Sequence, residues 1–217
     1  KSIYNTEHMK RTTRKLTNEE IIDNLRSYLV LAIKHPKVWN AGFDWYTEAQ
    51  DFVYKMYDMF RDRIEGLTPY RVAGTVSSLS PNNRWERNMI DTITVLTAVA
   101  EGLSPESVKV CTYNPNKLKA FACAKGDTEI TAKSPKTHAF AMNVGLNSPN
   151  HITVDKWHIR ACLGRPEEGI YPAVETCTAS EYRRIESITA ELAVEFDLKG
   201  YQAQAIIWVM IKKVWNR

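Results

Sequence analysis

The 217-residue sequence has no long apolar run. The stretch from Ala205 to Ile211 is its longest near the end, well short of the roughly 18 or more apolar residues of a membrane span. No membrane partner is therefore expected. Cysteine is sparse: Cys111, Cys123, Cys162 and Cys177 stand 12, 39 and 15 positions apart with no C-x-x-C pair. Those gaps fit no common zinc or iron–sulfur spacing, so neither metal nor cofactor is expected, and the thiols read as buried groups in a reducing cytoplasm. No secretory signal is expected from the polar and basic residues that open the sequence. Excess charge is slight, +4 overall, which is compatible with nucleic acid but not evidence for it. No apolar–polar alternation runs long enough to force a strand, and Asn150 to Val154 is extended but short. There is no internal repeat and no low-complexity linker.

Helical signals fill the chain instead. Thr17 with Glu20 three residues on has the form of a capping box, and Ile21, Leu25, Tyr28, Leu29 and Ala32 follow at helical spacing until His35-Pro36. Trp39-Asn40-Ala41-Gly42 reads as a turn before a second helix from about Asp44 to Ile64. Pro69, Arg84, Pro105, Asn114-Pro115, Ser134-Pro135, Asp155, Ser180 and Gly200 mark later starts, with Ser134 as cap and Pro135 at the first helical position. The expected fold is all-α with about ten helices. The expected organisation is a basic N-terminal tail over 1–16 and one two-lobed unit over 17–217. A central helical lobe covers 68–150, and a second lobe combines 17–67 with 151–217. The tail carries Lys1, Lys10, Arg11, Arg14 and Lys15 against one acid, Glu7, and reads as either a solvated segment or a phosphate-contacting arm.

The organising stretch is Pro135 to Gly164. Lys136 heads one helical segment, Asp155 opens the next, and the turn cluster Asn147-Ser148-Pro149-Asn150 lies between them. A lysine at a helix start is disfavoured by the helix dipole, which points to a reason other than folding. Aspartate at a helix start is a common cap, so Asp155 by itself fits either a cap or a reactive carboxylate.

With its Lys136-Thr137 start and its Val154-Asp155-Lys156-Trp157-His158-Ile159-Arg160 run, this stretch resembles the helix-hairpin-helix DNA glycosylases, the superfamily of endonuclease III and the oxidised-guanine glycosylases. In that family a lysine heads the second helix of the hairpin, and an aspartate opens the next helix within a V-D-x-H-x-x-R-like signature. Ser77-Ser78-Leu79-Ser80-Pro81-Asn82-Asn83 is similar to the family's polar loop, which wedges into the duplex where a base leaves. The likeness covers roughly Val72 to Arg160. The wording of the motif most resembles phage-type members, a branch that includes proteins tied to thymine hypermodification. The hairpin glycines and the cluster-binding cysteines of endonuclease III have no counterpart here.

The resemblance implies a two-lobed, glycosylase-like fold with Lys136 and Asp155 lining one cleft between the lobes. It implies a monomeric DNA glycosylase, with or without strand-cleaving lyase activity, working on double-stranded DNA in the cytoplasm, at the nucleoid or in an infected cell. Lys136 would be the nucleophile and Asp155 the carboxylate that stabilises positive charge on the sugar. Burial would supply the free amine, since desolvation disfavours a charged lysine. Asn82, Asn83, Lys133, Ser134, Thr137, His158 and Arg160 would contact DNA. A base-modifying enzyme on the same scaffold and a non-catalytic DNA-binding module are the other readings. Residue by residue, Asn82 and Asn83 also fit a turn and cap, His158 a hydrogen-bonded structural histidine, and Trp85 and Trp157 core packing rather than base stacking.

Overall fold

The computed structural model describes residues 12–165, 174 and 177–214. Lys1, Lys10 and Arg11 of the basic tail, and most of the loop between Gly164 and Pro172, lie outside them. Among the described residues the chain is all-α, with nine α-helices and no strand: α1 (Asn18–Ile33), α2 (Pro36–Phe60), α3 (Pro69–Leu79), α4 (Trp85–Ala100), α5 (Asn114–Lys125), α6 (Pro135–Leu146), α7 (Lys156–Cys162), α8 (Ala179–Glu195) and α9 (Gly200–Val214). Two short 3-10 turns, Thr13–Lys15 and Pro105–Ser107, complete the series. No described helix is long and apolar enough to cross a membrane.

The chain folds as two units. The first combines residues 1–44 with 154–217, and the second is 45–153. The segment 45–67 thus belongs with the central helices, whereas the sequence boundaries grouped it with the chain ends.

In the first unit, α1 starts as its sequence predicts. Thr17 Oγ1 accepts from the Glu20 amide at 3.2 Å, and Glu20 Oε2 accepts from the Thr17 amide at 2.7 Å, so two orphan donors of the first turn are satisfied reciprocally. Ile21, Leu25, Tyr28, Leu29 and Ala32 form its buried stripe. It packs with α7, α8 and α9. The end of the predicted tail is built into this unit: Thr13 is buried and donates to Glu181 Oε1 at 2.6 Å, while Arg184 donates to the carbonyls of Thr13 and Leu16.

The expected turn at Trp39–Gly42 does not exist. Pro36 opens α2, where a missing N–H costs nothing, and the helix runs through Gly42 unbroken. Glycine serves a different purpose there. A Cβ on Gly42 would stand 2.4 Å from Ile206 Cα and 2.7 Å from Ile206 N, so its absence lets α2 lie backbone-to-backbone on α9. Gly42→Ala therefore sets two effects against each other. Alanine gains about 1 kcal/mol of helix propensity. Overpacking costs about 1–3 kcal/mol when a neighbour must move, and here the neighbour is main chain, which cannot rotate away. The difference is a net loss of up to roughly 2 kcal/mol in urea unfolding, toward the upper end because main chain must move; a stabilised variant would show that α9 shifts without cost.

The second unit is built around α3. Every residue from Val72 to Leu79 is buried, the pattern of a helix surrounded on all sides. Small side chains permit this. A Cβ on Gly74 would lie 3.4 Å from Cys123 and Ile130 side-chain atoms, and one on Gly145 would meet Ala73 Cβ at 2.6 Å; α5 and α6 both pack closely on α3. The polar side chains of α3 are satisfied within the unit. Thr75 donates to Arg71 O at 2.9 Å, and Ser77 donates to Thr137 O at 2.6 Å. Arg71 ties two helix ends together, donating to Glu65 O and Gly66 O just past α2 and to Cys123 O and Ala124 O at the end of α5. A cation at carboxyl ends is where the helix dipole favours it. Gly126, at φ +82°, closes α5 against that guanidinium.

Candidate catalytic and nucleic-acid site

At the start of α6, Pro135 takes the first helical position and Ser134 precedes it. Ser134 makes no side-chain cap bond, contrary to expectation. Its ψ of 77° departs from the extended backbone of a capping residue, and only its carbonyl engages the helix, accepting from the His138 amide at 2.9 Å. Lys133 and Lys136 are exposed, and Thr137 is half-buried. Lys136 makes no hydrogen bond or ion pair among the described residues. Lys133, Ser134, Lys136 and Thr137 thus gather at one helix start in the second unit. The burial expected of a lysine nucleophile is not present.

One turn along α6, Phe140 is buried beside Trp45, with ring centroids 6.0 Å apart. Trp45 in turn lies 5.4 Å from Trp85, which meets Phe52 at 5.7 Å. Trp85 therefore belongs to an aromatic cluster joining α2, α4 and α6.

At the far end of α6, buried Asn143 clamps the following loop. Its Nδ2 donates to Ser148 O at 2.9 Å and to His151 O at 2.7 Å, and Thr153 Oγ1 donates to its Oδ1 at 3.3 Å. Gln50 reaches Asn143 O at 2.8 Å and Asn147 Oδ1 at 3.3 Å. Ser148 Oγ and His151 Nδ1 share a 2.8 Å hydrogen bond, and the His151 ring meets the His138 ring edge-on at 5.2 Å.

The two asparagines after α3 differ sharply. Asn82 is exposed, at φ +58°, a left-handed conformation that asparagine tolerates better than most residues. Asn83 is tied inward, its Nδ2 donating to Leu79 O at 3.2 Å and Asp91 Oδ2 at 2.9 Å. It cannot wedge into DNA without breaking those bonds, so the expectation that both asparagines reach the duplex is corrected to Asn82 alone.

In the first unit, Asp155 caps α7, its Oδ1 accepting from the His158 amide at 2.8 Å, and it is half-buried. His158 is only 1% exposed, so its expected role as a DNA contact is withdrawn: no phosphate can reach it in this arrangement. Its Nε2 lies 2.8 Å from Thr189 Oγ1, which itself donates to Ile185 O. Thr189 is thereby an acceptor toward the ring, placing the histidine proton on Nε2 and leaving buried Nδ1 with no partner. Burial pushes the imidazole down to about 4, since a second proton would find no acceptor. Arg160 is half-buried with its guanidinium 4.8 Å over the Trp157 ring, a cation–π contact.

The thiols divide likewise. Cys123 and Cys162 are buried, Cys177 is half-buried, and Cys111 is exposed, against the expectation that all would be buried. Burial raises the Cys123 and Cys162 thiols and pushes Cys177 up to about 11, which keeps them unreactive. Among the described residues no three His, Cys, Asp or Glu side chains are grouped to hold a metal ion.

A family match covers nearly the whole chain, residues 7–214. The chain belongs to DUF7178, a family of unknown function. No curated protein and no solved structure matches it. Several features of this DUF7178 chain were not singled out in the sequence: Asp91, Asn143, Arg71 and the Ser148–His151 pair. Arg87 and Asp91 stand four apart, the spacing of a helical ion pair, which was the one available signal. The others depend on partners distant in sequence or on loop geometry.

Proposed function

We propose that this DUF7178 protein is a DNA glycosylase acting on a modified base in duplex DNA, with Lys136 as nucleophile and Asp155 as the carboxylate that stabilises charge on the sugar. The observation carrying the proposal is Lys136 itself. It is exposed, without a side-chain partner among the described residues, and placed at a helix start where its charge opposes the dipole. Folding gains nothing from a lysine there, and the likeness to the glycosylases gives it a use. Since the amine is exposed, the docked DNA and extruded nucleotide would supply the dry surroundings that strengthen electrostatic catalysis.

In the proposed step, Lys136 Nζ bonds to the anomeric carbon as the carbon–nitrogen bond to the base breaks. The base leaves with the bonding electrons and takes up one proton shed by the attacking nitrogen, whose other proton passes to the ring oxygen as the sugar opens. Opening of the sugar ring yields an imine, which permits strand cleavage by elimination. Lys133, Ser134 and Thr137 at the same helix start, with Arg160 on α7, are the proposed phosphate contacts, and Asn82 the residue that occupies the vacated stack. Arg14 and Lys15 would extend the phosphate footprint. The protein would act as a cytoplasmic monomer.

The test incubates the full chain with duplexes carrying a panel of modified bases and adds borohydride, which reduces an imine to a stable amine. Wild type should release free base and yield a trapped adduct; Lys136→Gln should yield none while unfolding at the same temperature. An altered base still joined to the strand would instead indicate a base-modifying enzyme. Salt-sensitive DNA affinity with neither product would leave only a binding module.

A further inference from the structure

Asp91 is the one described carboxylate that is both fully buried and shared between separate segments of the chain. Its side chain is 0% exposed. Oδ1 accepts from Arg87 Nε at 2.9 Å; Oδ2 accepts from Asn83 Nδ2 and from the Cys111 amide, each at 2.9 Å. The donors come from α4 itself, from the Ser80–Asn83 turn, and from the segment leading into α5. That segment grips the turn a second time: Thr112 Oγ1 donates to Pro81 O at 3.3 Å and is itself held by Asn116 Nδ2 at 2.9 Å. The turn is closed internally by the Asn83 amide on Ser80 O at 3.1 Å. Within the turn, Asn83 is held through its Nδ2 while its Oδ1 is buried with no partner, and the Asn82 side chain is exposed and makes no hydrogen bond among the described residues.

A buried carboxylate is a costly way to fill space. Its desolvation is severe unless every lone pair is used, and apolar residues of the same volume often stabilise a fold as well or better. What a carboxylate does that leucine cannot is take donors from several segments at fixed angles and so set their register. Building on the DNA reading above, we propose that Asp91 is a positioning residue: through Asn83 and Cys111 it holds the Ser80–Asn83 turn in the conformation that presents Asn82 to the duplex. Asn83 is the link, and Asn82 is the residue that enters. A preorganised wedge acts on the extruded state and not on the initial complex, because the ordering of the turn is complete before DNA arrives. Loosening the turn therefore lowers extrusion while leaving ordinary duplex affinity intact.

The experiment uses the full chain and duplexes containing 2-aminopurine, whose fluorescence rises on unstacking, with the neighbouring base varied across a panel. Duplex affinity is measured separately by anisotropy at fixed salt. Asn82→Gly keeps the left-handed backbone and removes the side chain. Asn83→Ala cuts the link while leaving Asp91 its bonds to Arg87 and Cys111, so it provides the test if Asp91→Asn fails to fold. Each single variant should lower the extrusion signal by roughly tenfold to a hundredfold, the scale of a misplaced reacting group, with affinity within about twofold. The decisive observation is the combination. Adding Asn83→Ala or Asp91→Asn to Asn82→Gly should cost nothing further, since residues acting through one another are not additive. Additive losses would overturn the proposal, and so would variants that melt earlier yet extrude like wild type below their melting temperature. A wild-type chain that unstacks no duplex would sink the DNA reading and this inference together; wild-type extrusion with additive variants sinks the inference alone.

Discussion

Asp155→Asn is expected to reduce turnover by roughly 100- to 1000-fold, the usual consequence of removing one preorganised electrostatic group from a reacting centre, while hardly changing stability. The two effects separate because the observed cap and the proposed catalytic role make different demands on the carboxylate. As a cap, one oxygen accepts from the His158 amide, and an asparagine carbonyl does this nearly as well. The lost charge at the helix start costs below about 1 kcal/mol. As a catalytic group, the same side chain would face positive charge developing on the sugar, and a neutral amide cannot replace that interaction. Base release under single-turnover conditions, with the melting temperature and DNA affinity measured on the same preparations, distinguishes the two. A collapsed rate on a normally folded, DNA-binding variant supports the catalytic assignment. A near-normal rate on such a variant would reduce Asp155 to a cap and remove half of the proposed mechanism.

Acid should destabilise this protein through His158 before most carboxylates titrate. An imidazole titrates near 6.5 in the unfolded chain, and burial holds it at about 4 in the folded one. Between those values the unfolded chain binds more protons, so stability rises with pH across the window and falls as pH drops from about 6.5 toward 4. By pH 4.5 the loss amounts to roughly 2–3 kcal/mol at 1.36 kcal/mol per pH unit. The structural cause is the locked tautomer: Thr189 accepts the Nε2 proton and buried Nδ1 has no acceptor for a second. His158→Gln should be less stable at pH 7, where it forfeits a fitted ring, but should lose less between pH 7 and 4.5. Urea midpoints at the two pH values give the comparison directly. Parallel pH profiles for wild type and variant would mean that another group governs the acid transition.

The helix starts and stops were legible because their chemistry is local. The Thr17–Glu20 box, the prolines opening α3, α5 and α6, Asp155 capping α7 and the left-handed Gly126 closing α5 each depend on residues within one turn of each other. Short-range rules suffice there, and the all-α class follows from them. The same locality explains why Lys136 at its helix start and Asp155 at its cap could be picked out from the sequence.

The assignments that failed depended on a distant partner. Gly42 looked like a turn glycine, and only Ile206, far along the chain, makes it a contact glycine inside a helix. His158 fits either a DNA contact within its motif or a hydrogen-bonded structural histidine; the hydroxyl of Thr189, thirty-one residues on, and the burial around it decide for the second. Asn82 and Asn83 are the same residue side by side, so no propensity separates them. The carboxylate of Asp91 does, by taking hold of one and leaving the other exposed. Sequence alone thus determined most helix starts and stops, the start of α2 excepted, and which charged residues stand at their tips, because hydrogen bonds within a turn set those features. Tertiary packing decided which polar side chains face solvent and which are consumed within the protein, because burial and pairing depend on segments that meet only once the chain has folded.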